Sequence, residues 1–493
     1  MSPPSHVPTA PEDRIPFPHK LTYAAGAFVN NLLAAASGGM MIVLNLGLGM
    51  NPVLVGLLGA LPRFTDALTD PLMGFISDNT RSRWGRRRPY IFGGAIAAGL
   101  LFALLWQLPE GRSETFYFVW FLAGSILFYM GYTVFATPWV ALGYELTPDY
   151  HERTRLMGTQ NFIAQLAYVV SPWFLWIMNS GTFFRNAAGE PDQVAGAAGL
   201  AVVIAVVAIG LGILPGIFLR ERMRALAEAE SGTGRSLKQN LAEFFHGFGV
   251  TLANRSFLKL CAATFLIFNG FILISSFAFY VIIYYVCTGD QTEGAKYAGW
   301  AGSVGAVSTF AVVAFITWLG TRIGKRRAFF VSTGVSIVGY GLKWICYNPN
   351  HPWLVIVPAP LMAFGLGGLF TLMPSMVADV VDTDELKTHQ RREGMFGSIF
   401  WWTVKLGLSA ALAGGGYLLN ATGFDVAYEG AQAARTIILL RLFDAGIPMV
   451  TSAIAIWVVT TFPITEEKAY EVRMELERRR GRVAPAGEPD AAE

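Results

Sequence analysis

Long apolar runs separated by short polar segments dominate the sequence. An α-helix rises 1.5 Å per residue, so about 20 consecutive apolar residues cross the hydrocarbon core of a bilayer. Twelve runs reach this length, at about 21–48, 52–77, 90–108, 115–145, 157–179, 196–219, 256–287, 297–320, 328–346, 352–381, 394–419 and 436–462. The pattern predicts an all-α membrane protein with twelve transmembrane helices.

Composition supports this prediction and limits the function classes. Hydrophobic residues make up 53% of the chain and charged residues only 14%, whereas a soluble domain carries about 25% charged residues. The net charge of +3 provides no basic face for nucleic acid. All six histidines fall in predicted loops or tails and no H-E-x-x-H motif occurs, so we predict neither an enzyme nor a bound cofactor.

Positive charges divide the loops into two sets. The richer set holds Arg81, Arg83, Arg86, Arg87, Arg88, Arg153, Arg155, Arg322, Lys325, Arg326, Arg327, Lys387, Arg391 and Arg392, and the poorer set has little beyond Arg112, Arg185, Lys296 and Arg435. By the positive-inside rule the richer set is cytoplasmic, together with both termini. The charge pattern predicts a multi-pass protein, and we expect its membrane to be a bacterial inner (plasma) membrane.

An internal repeat relates the two halves of the chain. The motif R-W-G-R-R-R at 83–88 matches R-I-G-K-R-R at 322–327, and the same offset places Arg153 on Arg392. Two repeated helical halves are typical of transporters whose binding site lies between the repeats. The predicted organisation is a cytoplasmic tail (1–20), a six-helix half (21–219), a cytoplasmic linker (220–255), a second six-helix half (256–462) and a cytoplasmic tail (463–493).

The second predicted span contains charges in the run P-R-F-T-D-A-L-T-D-P-L-M-G. Asp66 and Asp70 are four residues apart, so they share one helix face, with Thr69 beside them and Arg63 one turn earlier. Measured from the end of the span, Asp70 lies about 10 Å and Asp66 about 16 Å inside the membrane. Two such carboxylates would share a proton or a cation, which predicts a site for H⁺ or Na⁺. A salt bridge between Arg63 and Asp66 that only locks helices is the alternative.

Further polar residues lie at a similar predicted depth of about 13–20 Å. They are Asn30 and Asn31 on the first span, Tyr132 and Thr133 on the fourth, and Lys405 on the eleventh. An ionisable group inside a membrane costs at least about 2.5 kcal/mol, so Asp66, Asp70 and Lys405 at one level predict function. For the amides and hydroxyls, a hydrogen bond to a neighbouring helix is the alternative.

Tryptophan occurs on several spans. Trp401 lies four residues before Lys405, on the same helix face, and we predict that its ring stacks on the substrate. Trp139, Trp173, Trp176 and Trp402 are predicted to anchor the spans at the membrane interfaces.

Charged residues near the cytoplasmic helix ends predict a gate that breaks in each transport cycle. Its predicted members are Asp78, Arg86, Arg87, Arg153, Asp382, Arg391 and Arg392. For any single arginine, a role in setting membrane topology is the alternative.

Several motifs together resemble a known family. They are D-A-L-T-D-P-L-M-G, T-R-S-R-W-G-R-R-R-P, G-Y-T-V-F-A-T-P-W, A-D-V-V-D-T-D-E-L with R-R-E-G, and P-I-T-E-E-K. The combination resembles the glycoside-pentoside-hexuronide:cation symporters of the major facilitator superfamily, which are melibiose permease-like, over nearly the whole chain. The resemblance implies the major facilitator fold and Na⁺- or H⁺-coupled uptake by alternating access.

The resemblance also assigns residues to sites. It places the cation site on Asp66, Asp70 and Thr133, with Thr69 where an asparagine is expected. Lys405 and Tyr132 match the sugar site, Asn31 and Ala136 replace carboxylates, Val140 replaces a tryptophan and Asn161 an arginine, and Phe370 stands at an aromatic position. The predicted substrate-binding set is Lys405, Tyr132, Asn31, Asn30, Trp401, Asn161, Phe370 and Arg63.

The altered pocket suits a neutral or anionic substrate. We predict symport of a sugar, glycoside or uronide by a monomer. The alternatives are a cation-coupled symporter of lysophospholipids or other amphiphiles and, more remotely, a membrane sensor that does not transport.

Overall fold

Capping residues and apolar runs determine where the helices begin. In the computed structural model, the Asn51 side chain accepts a hydrogen bond from Val53 N at 2.8 Å, and Pro52 occupies the first turn of the helix that follows. Asp192 and Asn254 cap later helices in the same way. Such caps satisfy backbone N–H groups that have no partner within the helix.

The structure describes residues 13–109, 111–147, 150–181, 192–221, 249, 251–388 and 393–479. The first part of the chain forms α1 (Phe17–Gly39), α2 (Ile42–Leu46), α3 (Pro52–Asn79), α4 (Arg88–Leu105), α5 (Glu114–Glu145), α6 (Tyr150–Val170), α7 (Phe174–Asn179), α8 (Gln193–Gly212) and α9 (Leu214–Phe218). The second part forms α10 (Arg255–Tyr280), α11 (Gln291–Ile323), α12 (Lys325–Cys346), α13 (Pro358–Thr388), α14 (Glu393–Ala421), α15 (Ala434–Thr460) and α16 (Glu466–Arg479). Short 3₁₀ helices cover Ser171–Trp173, Pro352–Ile356 and Val426–Tyr428, and α10 continues as a π-helix over Val281–Val286.

The all-α class predicted from the apolar runs is confirmed. Ten helical segments in the described part are long and apolar enough to cross a membrane, and each coincides with a predicted span. The other two predicted spans form α3 and α14, which are 28 and 29 residues long. These lengths are compatible with twelve spans, and the count of twelve stays a prediction.

The predicted linker and the predicted C-terminal tail lie outside the predicted spans. Most of the predicted linker 220–255 lies outside the described residues. The predicted C-terminal tail contains α16, on which Val472 and Leu476 are buried. Cys261, Cys287 and Cys346 are all free thiols in the structure.

The helices pack as two compact units. One holds the described residues of Met1–Arg235, Ile282–Ala306 and Leu412–Ile437, and the other those of Ser236–Val281, Val307–Ala411 and Ile438–Glu493. The first unit therefore includes parts of α11 and α14, which follow the linker in sequence. For example, Trp173 Nε1 donates to Ser303 Oγ at 2.8 Å within this unit. The boundaries of the six-helix halves stay a prediction, because a sequence repeat does not determine which ends pack together.

In the first unit, α5 is a central helix that packs against α3 and α4. Gly94 allows α4 and α5 to approach each other closely, because a Cβ atom there would lie only 2.5 Å from the backbone nitrogen of Phe135. Trp139 on α5 is 2% exposed, stacks on Tyr23 and donates to the Tyr23 carbonyl at 3.1 Å. The prediction that Trp139 anchors the membrane interface is therefore wrong, since this side chain belongs to the core.

The core of the second unit lies around α13, which packs against α10 and α12. Phe257 and Phe396 meet edge to face in this core, with ring centroids 4.9 Å apart. Lys343 on α12 and Asp444 on α15 form an ion pair with an Nζ–Oδ1 distance of 2.5 Å, and both side chains are only 2% exposed. An unpaired charge could not remain ionised in this environment without a large desolvation cost.

Glu152 near the start of α6 anchors the segment that precedes α1. Its carboxylate accepts from Ile15 N at 3.0 Å and pairs with Lys20 at 2.6 Å and Arg155 at 3.0 Å. Burial raises the pKa of Glu152, but the bonds from Lys20, Ile15 and Arg155 outweigh burial, and the net pKa is lowered. The charged carboxylate therefore stabilises the folded protein.

We expect Glu152→Gln to lower thermal stability in a pH-dependent way. Because the folded pKa lies below the usual value, the stabilisation is complete above about pH 5 and is lost as the pH falls below about 4.3. Unfolding midpoints of both proteins in detergent between pH 7 and pH 3 check this. A difference between the two proteins that persists undiminished at pH 3 would contradict the assigned role of the charge.

Candidate ion and substrate sites

The best-defined polar cluster surrounds Asp70 on α3. Thr133 Oγ1 and Thr137 Oγ1, one turn apart on α5, both donate to Asp70 Oδ1, at 3.1 and 3.4 Å. Thr133 is only 1% exposed, and Asp70 is partly buried. The cluster therefore places a carboxylate and two hydroxyl oxygens together on helices that form predicted membrane spans.

Thr69 extends the same cluster. Its hydroxyl lies 3.3 Å from Thr133 Oγ1 and 2.9 Å from the carbonyl of Thr65, and its one proton can serve only one of these acceptors at a time. The structure thus brings together three of the four predicted cation ligands. The fourth, Asp66, lies one turn before Asp70 on α3, and its side chain is outside the described set.

Arg63 lies one turn before Asp66 on α3. Its guanidinium carbon sits 4.6 Å from the ring centre of Tyr129 on α5, in a cation–π contact. The two residues line a cleft together with Ser37 from α1, Phe128 from α5 and other, mostly apolar, side chains. Arg63 thus presents a positive charge to a mostly apolar surface that includes the rings of Phe128 and Tyr129.

The amides predicted to bind substrate form a network across α1, α5 and α6. Tyr132 OH donates to Asn30 Oδ1 at 2.7 Å, Asn30 Nδ2 donates to Asn31 Oδ1 at 3.4 Å, and Asn31 Nδ2 donates to the Ala164 carbonyl at 3.3 Å. Asn161 is exposed and lies three residues before Ala164 on α6. These bonds hold the Tyr132 ring and both amides in place.

The other predicted substrate residues belong to the second unit. The rings of Phe370 on α13 and Trp401 on α14 stack with centroids 5.9 Å apart and planes 9° apart. Trp401 is 53% exposed, and Lys405 is exposed one turn further along α14. An exposed indole next to an ammonium group presents a ring face and a positive charge from one helix.

The first basic motif, at 83–88, is bound by two glutamates of its own unit. Arg86 and Arg87 both pair with Glu145 at the end of α5, with an Arg87–Glu145 distance of 2.9 Å. Glu221, which follows α9, accepts from the backbone nitrogens of Arg86 and Arg87 at 3.0 and 2.7 Å. Gly85 takes φ = 106°, a conformation that favours glycine.

The second basic motif has a similar arrangement. Lys325 Nζ contacts the carboxylate of Asp379 on α13 at 2.7 Å, and Gly324 takes φ = 83°. Glu466, which follows α15, lies against Gly324 as Glu221 lies against Gly85. In both motifs of the internal repeat, a glycine therefore takes a positive φ and a glutamate side chain lies against it.

The remaining predicted gate residues are placed only in part. Asp382 lies three residues after Asp379 on α13 and is partly buried. The side chains of Asp78 and Arg153 and the whole of Arg391 and Arg392 lie outside the described residues.

Three polar residues in these clusters escaped the sequence analysis. One feature of the sequence could have identified Thr137. It lies four residues after Thr133, a spacing that places both hydroxyls on one face of α5. No sequence feature could have identified Glu145 or Glu221, because single carboxylates at the ends of spans are common. Their partners depend on how α4, α5 and α9 pack.

Comparison with known proteins gives the family. The family model described as MFS/sugar transport protein matches residues 22–466. The "Uncharacterized symporter sll1374" of Synechocystis sp. is 26% identical over 95% of this chain and 98% of its own length. The "Glucuronide carrier protein homolog" of Escherichia coli is 24% identical over 93% and 95%, and the "Sodium-dependent lysophosphatidylcholine symporter 1" of Gallus gallus is 24% identical over 98% and 93%.

Among solved structures, a bacterial homologue of the human lysosomal transporter Spinster superposes with a TM-score of 0.62 at 16% identity, over 95% of this chain and 98% of that one. This likeness supports the fold, and the family model supports membrane transport rather than enzymatic catalysis. The chain belongs to the MFS/sugar transport protein family of the major facilitator superfamily.

Proposed function

We propose that this protein takes up a sugar, glycoside or uronide by cation-coupled symport through alternating access. The observation that carries the proposal is the cluster of Asp70 with the hydroxyls of Thr133, Thr137 and Thr69. Carboxylate and hydroxyl oxygens are the ligand type that hard cations prefer. An ionisable carboxylate inside a membrane helix is costly, and such residues usually have a function there.

Coupling follows from the position of this cluster between two helices. The cation, Na⁺ or H⁺, binds first and neutralises the Asp66/Asp70 pair. Because Asp70 lies on α3 and its hydroxyl partners lie on α5, the bound ion changes how these helices pack. A change that raises substrate affinity must, by linkage, raise cation affinity by the same factor. With both bound, the two repeats rock and the predicted gate opens.

The substrate class rests on the aromatic and basic side chains. Lys405 supplies a positive charge beside the exposed face of Trp401, and indole faces pack well against the C–H surface of a sugar ring. A uronide has both a ring and a carboxylate, so this pairing suits it. The relative named as a glucuronide carrier homologue supports the same class.

A second substrate class is favoured by a different observation. Arg63 presents a guanidinium stacked on Tyr129 in a cleft with mostly apolar lining. A positive charge beside an apolar surface suits an amphiphile with an anionic or zwitterionic headgroup, and one relative is named as a lysophosphatidylcholine symporter. The second candidate is therefore cation-coupled symport of a lysophospholipid.

Membrane placement completes the proposal. The protein spans a bacterial inner membrane with both termini in the cytoplasm and works as a monomer. Cysteine labelling from either side of sealed vesicles tests the placement of the termini.

Counterflow in proteoliposomes tests transport and substrate class together. A thermal-shift screen of neutral sugars, uronates and lysolipids first identifies compounds that bind. A radiolabelled hit is then exchanged across the membrane with and without an inward Na⁺ or proton gradient. Accumulation above equilibrium only in the presence of one gradient supports symport. Binding without counterflow would overturn transport and favour a sensor.

A further inference from the structure

We propose that Thr137 is a ligand for the coupling ion and that its hydroxyl makes the site selective for Na⁺ over H⁺. The inference rests on the proposed symport function and adds the identity of the ion. The observation that carries it is the convergence of two hydroxyls, from consecutive turns of α5, on one oxygen of Asp70.

The geometry gives Thr137 the same relation to Asp70 as Thr133. Both hydroxyls reach Asp70 Oδ1, and the two distances differ by only a few tenths of an ångström, 3.1 against 3.4 Å. Thr133 was expected at the cation site from sequence, whereas Thr137 was not. One face of α5 thus offers two oxygens four residues apart, about 6 Å along the helix axis, with the carboxylate between them.

The chemistry of a hydroxyl explains why this matters for ion choice. A threonine hydroxyl has one proton and two lone pairs, so it can donate to Asp70 while a lone pair faces a cation. Na⁺ needs several oxygen ligands to replace its water, as hard cations generally do. A proton needs only one acceptor, the carboxylate itself. Each additional hydroxyl therefore favours Na⁺ and contributes little to proton binding.

A purely structural role for Thr137 makes a different prediction. If its hydroxyl only joined α3 to α5, its removal would lower stability equally with and without Na⁺. If the hydroxyl is a ligand, its removal changes the Na⁺ concentration at which the protein becomes stabilised. The dependence of the unfolding midpoint on Na⁺ separates the two roles.

The test is a titration of the unfolding temperature of the detergent-purified full chain with NaCl, against choline chloride at equal ionic strength. Thr137→Val keeps the shape of the side chain and removes the oxygen, and Thr137→Ser keeps the oxygen. Thr317→Val is the matched control, because the Thr317 hydroxyl is exposed and bonds its own helix at the Val313 carbonyl. Thr137→Ala serves if the valine variant does not fold.

We expect Thr137→Val to raise the Na⁺ concentration for half-maximal stabilisation by about tenfold or more, as loss of a group at a metal site typically does. Thr137→Ser and Thr317→Val should remain within about threefold of the wild type.

Two results would overturn the inference. In the first, Thr137→Val keeps the Na⁺ dependence of the wild type. The proposed symport still stands in that case if Asp70→Asn abolishes the Na⁺ dependence. In the second, Na⁺ does not stabilise even the wild type, while a proton gradient drives uptake. The proposed function itself fails if no gradient drives uptake of any substrate.

Discussion

Asp70→Asn is expected to abolish accumulation driven by a Na⁺ or proton gradient. The amide is nearly the same size as the carboxylate but carries no charge, so the site loses most of its attraction for a cation. Without a coupled ion, the transporter can only equilibrate its substrate, and the ratio of internal to external concentration should fall to about one, because no coupling free energy remains. Uptake into proteoliposomes with an imposed gradient measures this ratio.

Glu293→Gln is the matched control for this change. Glu293 lies near the start of α11 with its side chain 47% exposed and pairs with Lys296 on the same helix, and a pair so accessible to solvent contributes little to stability. Its removal should leave accumulation unchanged. An Asp70→Asn protein that folds and still concentrates substrate as the wild type does would exclude Asp70 from coupling.

Lys343→Met is expected to cause the largest loss of stability. The change leaves Asp444, which is only 2% exposed, without the ammonium group 2.5 Å from its carboxylate. Breaking a buried ion pair on one side typically costs about 3–5 kcal/mol, because the remaining charge is buried without compensation. Asp444→Leu should be destabilising for the same reason.

The double variant Lys343→Met/Asp444→Leu should recover most of this loss. A buried pair replaced by apolar residues of similar size is often neutral in stability. Unfolding midpoints of the wild type, both single variants and the double variant in detergent provide the cycle. Lys296→Met is the control, because the Lys296 side chain is 45% exposed. A double variant less stable than either single variant would show that the pair has a role beyond mutual neutralisation.

Features that depend on one helix were predictable from sequence. The apolar runs predicted the long helices of the described residues, and Asp66 and Asp70 lie on consecutive turns of α3 as their spacing indicates. The internal repeat aligned the two basic motifs, and Gly85 and Gly324, which occupy the same position in them, both take positive φ. Local periodicity and short motifs carry this information.

Features that depend on which helices meet were not predictable. Lys343 and Asp444 lie 101 residues apart, and no local pattern joins them. Thr137 contributes to the cluster only because α5 packs against α3 in a register that brings two successive turns to Asp70. The prediction that Trp139 lies at the membrane interface was wrong for the same reason. Gly26 on α1 has no side chain, which leaves room for the Trp139 indole inside the unit.

Substrate affinity measured with and without the coupling ion most directly tests cation coupling at Asp70. Titration of a compound from the thermal-shift screen into the purified protein would be compared in saturating NaCl, in choline chloride, and at two pH values. Linked binding predicts that the affinity for the substrate is about 5- to 150-fold higher with the coupling ion than without it. The Asp70→Asn protein should show no such difference. Equal affinity under all conditions in the wild type would contradict cation-coupled symport by this protein.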